Sequence, residues 1–177
     1  MKAVIGIDIG GTNTKIGLIT ESGMTMGYDS FPTNSHESIT IFIQKIKQTT
    51  DNLIQKNHDI EIIGIGIGCP NADSRSGQLI SPPNLGWGSI PLKKLLKEIF
   101  KYPIYIGNDA NVAAYGEKIW GAAKGMRDFI VVTLGTGIGT GIFVNDSILI
   151  GHNALAGEGG HLIIEPNGRK CSCGGYG

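Results

Sequence analysis

The chain has 177 residues, of which 41% are hydrophobic, and it carries as many basic as acidic side chains. That hydrophobic content is enough for a buried core, and the zero net charge argues against a surface for nucleic acid or an anionic membrane. No apolar run approaches the ~20 residues that span a bilayer, and the first residues make a poor signal peptide. The odd number of cysteines, Cys69, Cys171 and Cys173, fits a reducing cytoplasm better than a disulfide framework.

The chain begins with a pattern of strand, glycine turn, strand, turn and strand. Apolar runs at residues 3–9 and 14–20 flank the dipeptide Gly10-Gly11 and Thr12, and a third run at 24–31 follows a second turn. Short apolar runs separated by turn residues predict a meander of antiparallel strands.

A helix, a strand and a long loop come next. Apolar residues recur at helical spacing over residues 36–56, and Asn34 followed by Glu37 reads as a capping box at the start of that helix. Residues 62–68 form an apolar run that predicts a buried strand. Residues 69–89 are rich in proline, glycine, asparagine and serine, and we expect a loop there.

The remaining elements repeat the opening pattern. A short amphipathic helix over residues 92–100, a strand at 104–106 and a helix from Asn108 to about Trp120 lead into a second meander. Its strands are predicted at 129–134, 138–144 and 148–150. The sequence therefore predicts an α/β protein with two domains, 1–108 and 109–177.

Each meander carries polar residues beside a glycine turn. In "DIGGTNTK" (8–15), Asp8 could hold a hydrated Mg²⁺, and Lys15 could add positive charge near an anion that the turn binds. The alternative is an ordinary hairpin turn. A second such turn, in "LGTGIGTG" (134–141), favours phosphate binding over an ordinary hairpin turn, because two such turns can face each other across a cleft and bind a polyphosphate between them.

Two further groups of residues could carry chemistry. Asn108 and Asp109 lie where a strand ends and a helix begins, so Asp109 could accept a proton from a substrate hydroxyl, or the pair could simply cap the helix. In "GEGGH" (157–161), Glu158 and His161 suit sugar hydroxyls, although they could be exposed loop residues. His161 could equally be a metal ligand.

Six motifs occur together in a recognisable order: "DIGGTNTK", "PPNLGW", "NDANVAAYGE", "LGTGIGTGI", "GEGGH" and "CSCGGYG". Their order and spacing resemble those of the ROK family of sugar kinases and repressors, and look most like its bacterial glucokinases. The resemblance covers residue 4 to the end of the chain. It implies the two-domain architecture of sugar kinases, heat-shock ATPases and actin.

The resemblance also implies roles for individual residues. Asp109 would be the catalytic base. The sugar would be bound by Asn84, Asn108, Glu158 and His161. The phosphates of ATP and its Mg²⁺ would be surrounded by Asp8, Gly10, Gly11, Thr12, Lys15, Gly135, Thr136 and Gly137. A structural Zn²⁺ would be held by His161, Cys171 and Cys173.

The zinc motif raises an expectation about the length of the chain. The family's cysteine stretch looks like C-x-C-G-x-x-G-C, and this sequence matches it up to Gly177. We therefore expect a fourth ligand just beyond that residue, a complete first domain, and a second domain of which only the beginning is present. Such a chain should be inactive by itself.

The function implied is the ATP-dependent phosphorylation of a hexose, with glucose favoured over N-acetylhexosamines and fructose, by a cytoplasmic enzyme. One alternative is a sugar-sensing repressor of the same family, which would need a DNA-binding domain ahead of the first strand. Another is a non-catalytic, actin-like ATP-binding module. The resemblance leaves a homodimer open.

Overall fold

A computed structural model describes residues 1–82, 85–135, 137–171 and 173–177. The chain divides into two compact units, Met1–Val112 and Ala113–Gly177, which we call unit 1 and unit 2. Each is described by itself below.

Unit 1 opens with the expected antiparallel meander. Its strands are β1 (Lys2–Ile9), β2 (Asn13–Thr20) and β3 (Thr25–Pro32), and β2 pairs with both of the others. β1 and β2 alternate between buried apolar residues and more exposed ones, which is the period that a sheet with one covered face requires.

The next element is helix α1 (Ile39–Gln55), and its predicted capping box is wrong. Ser38 is the N-cap, and its hydroxyl accepts a hydrogen bond from the Ile41 N–H at 3.4 Å. Asn34 and Glu37 instead close a separate turn, in which the Glu37 N–H donates to the Asn34 carbonyl at 2.8 Å. Asn34 has a φ of 47°, whereas an N-cap residue has extended backbone, so the helix begins three residues later than predicted.

The rest of unit 1 extends the sheet in the parallel sense. β4 (Glu61–Gly68) is followed by a small hairpin of β5 (Ala72–Asp73) and β6 (Gln78–Leu79), by helix α2 (Leu92–Lys97) and by β7 (Ile104–Gly107). The hairpin lies in the segment predicted to be a loop. The five-stranded sheet has the order β3-β2-β1-β4-β7, and β4 is parallel to both of its neighbours.

The hydrophobic core of unit 1 lies around β1, which is the middle strand. Its Ile5, Ile7 and Ile9 belong to one buried cluster with Phe42 and Ile46 of α1. Residues of β2, β4, β7 and α2 also belong to that cluster, so both helices of unit 1 that precede a parallel strand contribute to it. The elements predicted from apolar periodicity thus meet in a single core.

Helix α3 (Asp109–Ile119) begins in unit 1 and ends in unit 2. The second meander follows, as β8 (Phe129–Leu134), β9 (Ile138–Val144) and β10 (Ser147–Ile148), with the sheet order β10-β9-β8. A 3₁₀ turn at Gly159–His161 packs beside β9. Within the described ranges, no helix is both long enough and apolar enough to cross a membrane.

Candidate functional site

Three parallel strands of unit 1 end at the same edge of the sheet. Asp8, near the end of β1, pairs in register with Gly68 of β4, and Gly68 pairs with Gly107 of β7. Asn108 and Asp109 follow directly after that row. The carboxyl ends of parallel strands are where α/β folds place their ligands, and here this edge brings together polar residues that are far apart in sequence.

The two glycines of this row allow the start of α3 to lie close against the sheet. A Cβ added to Gly107 would lie 3.2 Å from Cγ2 of Val112. One added to Gly68 would lie 3.7 Å from the Cα of Asp109. Since both positions lack a side chain, the first turn of α3 can approach the strand ends closely, and Asp109 is held near the edge.

Asn108 caps α3, which was the alternative to a chemical role for Asn108 and Asp109. Its Oδ1 accepts hydrogen bonds from the N–H groups of Ala110, at 3.0 Å, and Asn111, at 3.2 Å. Asp109 is exposed and accepts a second bond from the Ala110 N–H, at 2.9 Å to Oδ1. The cap leaves the Asn108 amide group as a donor, so capping does not conflict with a binding role.

The charged groups at this edge influence one another. Lys15 lies directly opposite Asp8 on β2, and its Nζ is 3.9 Å from Asp8 Oδ2. Partial burial raises the pKa of Asp8; Lys15 opposes that rise, and the Asp109 carboxylate adds to it. The two carboxylates are therefore close enough to interact electrostatically.

Cys69, which sequence reasoning did not single out as a site residue, lies buried beside these carboxylates. It follows β4, and its N–H donates to the Gly107 carbonyl at 3.0 Å. Burial raises the pKa of the Cys69 thiol, and the charges of Asp109 and Asp8 raise it further. The thiol therefore stays protonated and serves as a small apolar filler beneath the site.

The first glycine turn, residues 10–12, joins β1 to β2 as predicted and is tightly closed. The Gly10 N–H donates to the Asn13 carbonyl at 3.1 Å. A Cβ on Gly10 would lie 3.0 Å from that same carbonyl oxygen, which is closer than most side chains tolerate. Gly10, Gly11 and Thr12 thus form a tight hairpin turn beside Asp8, at the edge where the parallel strands end.

The second glycine turn, in unit 2, differs in how much room surrounds it. The Gly135 N–H donates to the Gly137 carbonyl at 3.0 Å, which closes the turn between β8 and β9. A Cβ built on either glycine would meet no atom within 4 Å among the parts of the chain that are described. Thr136, which was predicted to face phosphates, lies outside the described residues.

Glu158 and His161 lie in a loop that is clamped onto β9. The Thr140 hydroxyl donates to the Gly157 carbonyl and accepts from the Gly159 N–H at 2.9 Å. This contact holds the backbone on both sides of Glu158. His161 Nε2 lies 3.9 Å from a Glu158 carboxylate oxygen, so unit 2 brings this predicted pair together.

The glycines of this loop have a structural reason. A Cβ on Gly160 would fall 2.0 Å from the Ile138 carbonyl oxygen, and Gly157 has a φ of +85°. Only glycine fits both positions without moving the backbone. The sequence predicted a binding role for the motif "GEGGH", and packing against β9 explains two of its glycines.

The predicted zinc ligands are not gathered in the structure. Over the described ranges, no three His, Cys, Asp or Glu side chains form a group that could hold a metal ion. Cys171 and Cys173 are both exposed and lie in a small turn closed by the Cys171 N–H, which donates to the Gly175 carbonyl at 2.9 Å. The donor types suit zinc, but their arrangement here does not, and the zinc site stays a prediction.

Asn84, a predicted sugar ligand, lies outside the described residues, but the loop that follows it is anchored. The Trp87 Nε1–H donates to the Glu37 carbonyl at 3.0 Å, and the Trp87 ring lies 4.5 Å from that of Phe42. A Cβ on Gly86 would lie 2.9 Å from the Ser35 carbonyl oxygen. The loop is therefore held against the segment that precedes α1.

The fold and the edge residues together define an α/β protein of the sugar kinase, heat-shock ATPase and actin architecture. The chain belongs to the ROK family, whose family model matches residues 4–177. Both findings confirm what the motifs predicted.

Similar proteins include both enzymes and regulators. The chain is 37% identical to a glucokinase of Halalkalibacterium halodurans over 96% of its own length and 53% of the relative's. It is also 37% identical to a xylose repressor of Bacillus spizizenii, over 98% of its length and 45% of the repressor's. The chain thus spans about half the length of the curated relatives it matches.

A solved structure gives the same picture of the fold. It is a ROK family glucokinase from Streptomyces griseus in complex with glucose and AMPPNP, and it matches with a TM-score of 0.87 at 31% identity. The match covers 99% of this chain and 55% of that one.

Proposed function

We propose that this chain carries the phosphate turns, the catalytic carboxylate and part of the sugar-binding residues of an ATP-dependent hexose kinase. The observation that carries the proposal is the meeting of Asp8, the first glycine turn and Asp109 at one edge of the unit 1 sheet. The similarity to glucokinases, one of them in complex with glucose and AMPPNP, supports it.

In the proposed reaction, Asp109 accepts the proton of the sugar hydroxyl as that oxygen attacks the γ-phosphorus of ATP. The bond from the γ-phosphorus to the β–γ bridging oxygen breaks, and ADP leaves with the electron pair. Asp109 suits this role because its side chain is exposed at the strand ends and stands at a helix N-terminus, where a carboxylate is stabilised. A positioned base of this kind contributes ~10²–10⁴ in rate.

The nucleotide would arrive with Mg²⁺, which neutralises charge on its phosphates. Asp8 fits such an ion, because it is a partly exposed carboxylate beside a glycine turn, and Mg²⁺ binds few carboxylates while keeping several waters. Lys15, opposite Asp8, adds positive charge on the same edge. We assign Gly10, Gly11 and Thr12 to phosphate binding, as the resemblance implies.

The remaining residue roles are those that the resemblance to the ROK family implies. Gly135, Thr136 and Gly137 would bind phosphate, and the sugar would be held by Asn84, Asn108, Glu158 and His161. Glucose is the favoured hexose, and N-acetylhexosamines and fructose are the alternatives.

The test is an ATP-dependent phosphorylation assay on the native full-length protein with a panel of glucose, N-acetylglucosamine, N-acetylmannosamine and fructose. We expect turnover to be fastest with glucose. If none of these sugars is phosphorylated although each is bound, the kinase proposal is wrong.

A sugar-sensing regulator is the second candidate, and the similarity to a xylose repressor over nearly the whole chain favours it. A regulator would bind its sugar without ATP-dependent turnover, and its affinity for operator DNA would change when the sugar binds. Measuring DNA binding by the full-length protein with and without sugar separates the two functions.

A further inference from the structure

Thr33, the first residue after β3, belongs to none of the motifs, yet it is completely buried. A buried hydroxyl needs hydrogen-bond partners, because leaving it unpaired costs free energy. The partners of Thr33 belong to the first glycine turn and to its neighbour Thr14.

The direction of these hydrogen bonds follows from the number of hydrogens. Thr33 Oγ1 lies 2.7 Å from the Gly10 carbonyl oxygen, and since a carbonyl only accepts, Thr33 donates its one hydroxyl hydrogen to Gly10. Thr14 Oγ1 lies 3.0 Å from Thr33 Oγ1 and must therefore be the donor in that pair. The result is a directed chain from Thr14 to Thr33 to the Gly10 carbonyl.

The backbone of Thr33 adds a second contact to the same turn. Its N–H donates to the Thr12 carbonyl at 2.9 Å, while the Asn13 carbonyl accepts from the Gly10 N–H at 3.1 Å. Three carbonyl oxygens of this segment are thus held by donors within the protein. Carbonyl oxygens repel an anion and N–H groups attract it, so a turn with its carbonyls held in this way is prepared to bind phosphate.

We propose that Thr33 is a positioning residue for nucleotide binding: it holds the Gly10 and Thr12 carbonyls and so keeps the first glycine turn in its phosphate-binding conformation. Thr33 does not itself touch the nucleotide. The inference rests on the proposed function, since it names what prepares that site for ATP.

Thr33→Val removes the hydroxyl and keeps the shape, so the Gly10 carbonyl loses its donor and is free to turn. Loss of one such bond corresponds to a change of about tenfold in an equilibrium constant. We expect the affinity for Mg²⁺-AMPPNP to fall by about that factor, while the affinity for glucose alone changes less than about twofold. Thr33→Ser keeps the donor and should recover most of the nucleotide affinity.

The chain provides a matched control in Thr50 of α1. Thr50 is just as buried as Thr33, but its Oγ1 has no hydrogen-bond partner among the described residues. Thr50→Val is the same chemical change, and it should leave the affinities for Mg²⁺-AMPPNP and glucose unaltered. Comparing the two variants separates the effect on the turn from the general effect of losing a buried hydroxyl.

The measurement is calorimetric titration of the native full-length protein and each variant with Mg²⁺-AMPPNP and, separately, with glucose. The inference is overturned if Thr33→Val binds the nucleotide as tightly as the wild type does, or if it loses affinity for both ligands equally. It is also overturned if Thr33→Ser does not recover the nucleotide affinity. If Thr33→Val does not fold, Thr33→Ala decides, because it removes the same hydroxyl without placing a methyl group beside the Gly10 carbonyl. A selective loss of nucleotide affinity there supports the inference, and equal affinities overturn it. A wild-type protein that binds no Mg²⁺-AMPPNP overturns the proposed function itself, and this inference with it.

Discussion

In unit 1 the first strand of the meander, β1, lies between β2 and β4, whereas in unit 2 the matching strand, β8, pairs only with β9 among the described residues. The apolar side chains of the two strands differ accordingly. Ile5 and Ile7 of β1 are 0% and 3% exposed, while Ile130 and Leu134 of β8 are 61% and 80% exposed. A short apolar run therefore specifies a strand, but burial requires a neighbouring element to cover it.

The two units also differ in chemistry at the equivalent position. Asp8 is the penultimate residue of β1, whereas Thr133 is the penultimate residue of β8. A Cβ on Gly10 of the first glycine turn would crowd the Asn13 carbonyl, whereas one on Gly135 or Gly137 of the second would meet no described atom within 4 Å. Among the described residues, unit 1 thus has charged groups at the end of its first strand, whereas unit 2 has a glycine turn with little steric restraint.

The largest effect is expected from Asp109, which tests whether the charged edge of unit 1 performs the chemistry. Asp109→Asn keeps the size and the hydrogen bond of the side chain but cannot take a proton. We expect kcat in the native full-length protein to fall by ~10²–10⁴, with little change in sugar affinity. Asp51→Asn, at a half-buried carboxylate of α1 that pairs with Lys47, is the control and should leave kcat unchanged. A kcat of Asp109→Asn within a few-fold of the wild type would refute the assignment.

Gly137→Val tests the difference between the two glycine turns. Because a Cβ at Gly137 meets no atom of the described residues within 4 Å, valine should not lower the melting temperature much, but it would stand where the backbone is proposed to approach phosphate. We expect the affinity for Mg²⁺-AMPPNP to fall by about tenfold or more while sugar binding survives.

Gly10→Val provides the comparison for that experiment, since its Cβ would crowd the Asn13 carbonyl. This variant should lose stability as well as nucleotide affinity. If Gly137→Val lost sugar and nucleotide affinity together and melted at a lower temperature, the glycine would serve only the fold.

The exposed apolar side chains of β8 predict self-association of the 177-residue chain. Edge strands with exposed apolar residues pair readily with other chains. Replacing both Ile130 and Val132 with threonine keeps the β-branched shape, so we expect a smaller associated fraction in sedimentation velocity and a change in unfolding free energy of about 0.5 kcal/mol or less. The matched change Ile7→Thr, in the covered strand, should cost about 2 kcal/mol or more. Equal costs in the two units would contradict the comparison.

The smallest effect concerns the pH dependence that Asp8 adds. Its pKa is raised in the folded protein, so the folded state holds the proton more tightly than the unfolded chain does. Asp8 thus contributes stability that is present at low pH and is lost as the pH rises through its folded pKa.

Asp8→Asn should therefore be at least as stable as the wild type at about pH 7, and this advantage should shrink towards about pH 4. Melting temperatures measured across that range test the sign. Its affinity for Mg²⁺-AMPPNP should nevertheless be lower than that of the wild type. A variant that is less stable at neutral pH and more stable in acid would show that the sign is wrong.

Local signals determined most of the elements and part of the site. Short apolar runs bounded by turn residues placed β1, β2, β8 and β9, because such runs are typical of strands. Glycine pairs between apolar runs placed both turns. The N-cap of α1 could not be found this way, because Asn34 and Ser38 are both good capping residues and only the backbone conformation chose Ser38. The β5–β6 hairpin escaped prediction because its strands are two residues long.

Tertiary structure alone decided which residues meet at the sheet edge. Asp8 and Asp109 are about a hundred residues apart in sequence, and they come together because β1, β4 and β7 run parallel in one register. Thr33 could not have been found from the sequence, since a single threonine after a strand carries no pattern. Its partner Gly10 lies 23 residues away, and only packing buries the hydroxyl that joins them. Local composition thus determines strands, helices and turns. Strand order and burial determine the contacts between them, because those contacts depend on residues that are distant along the chain.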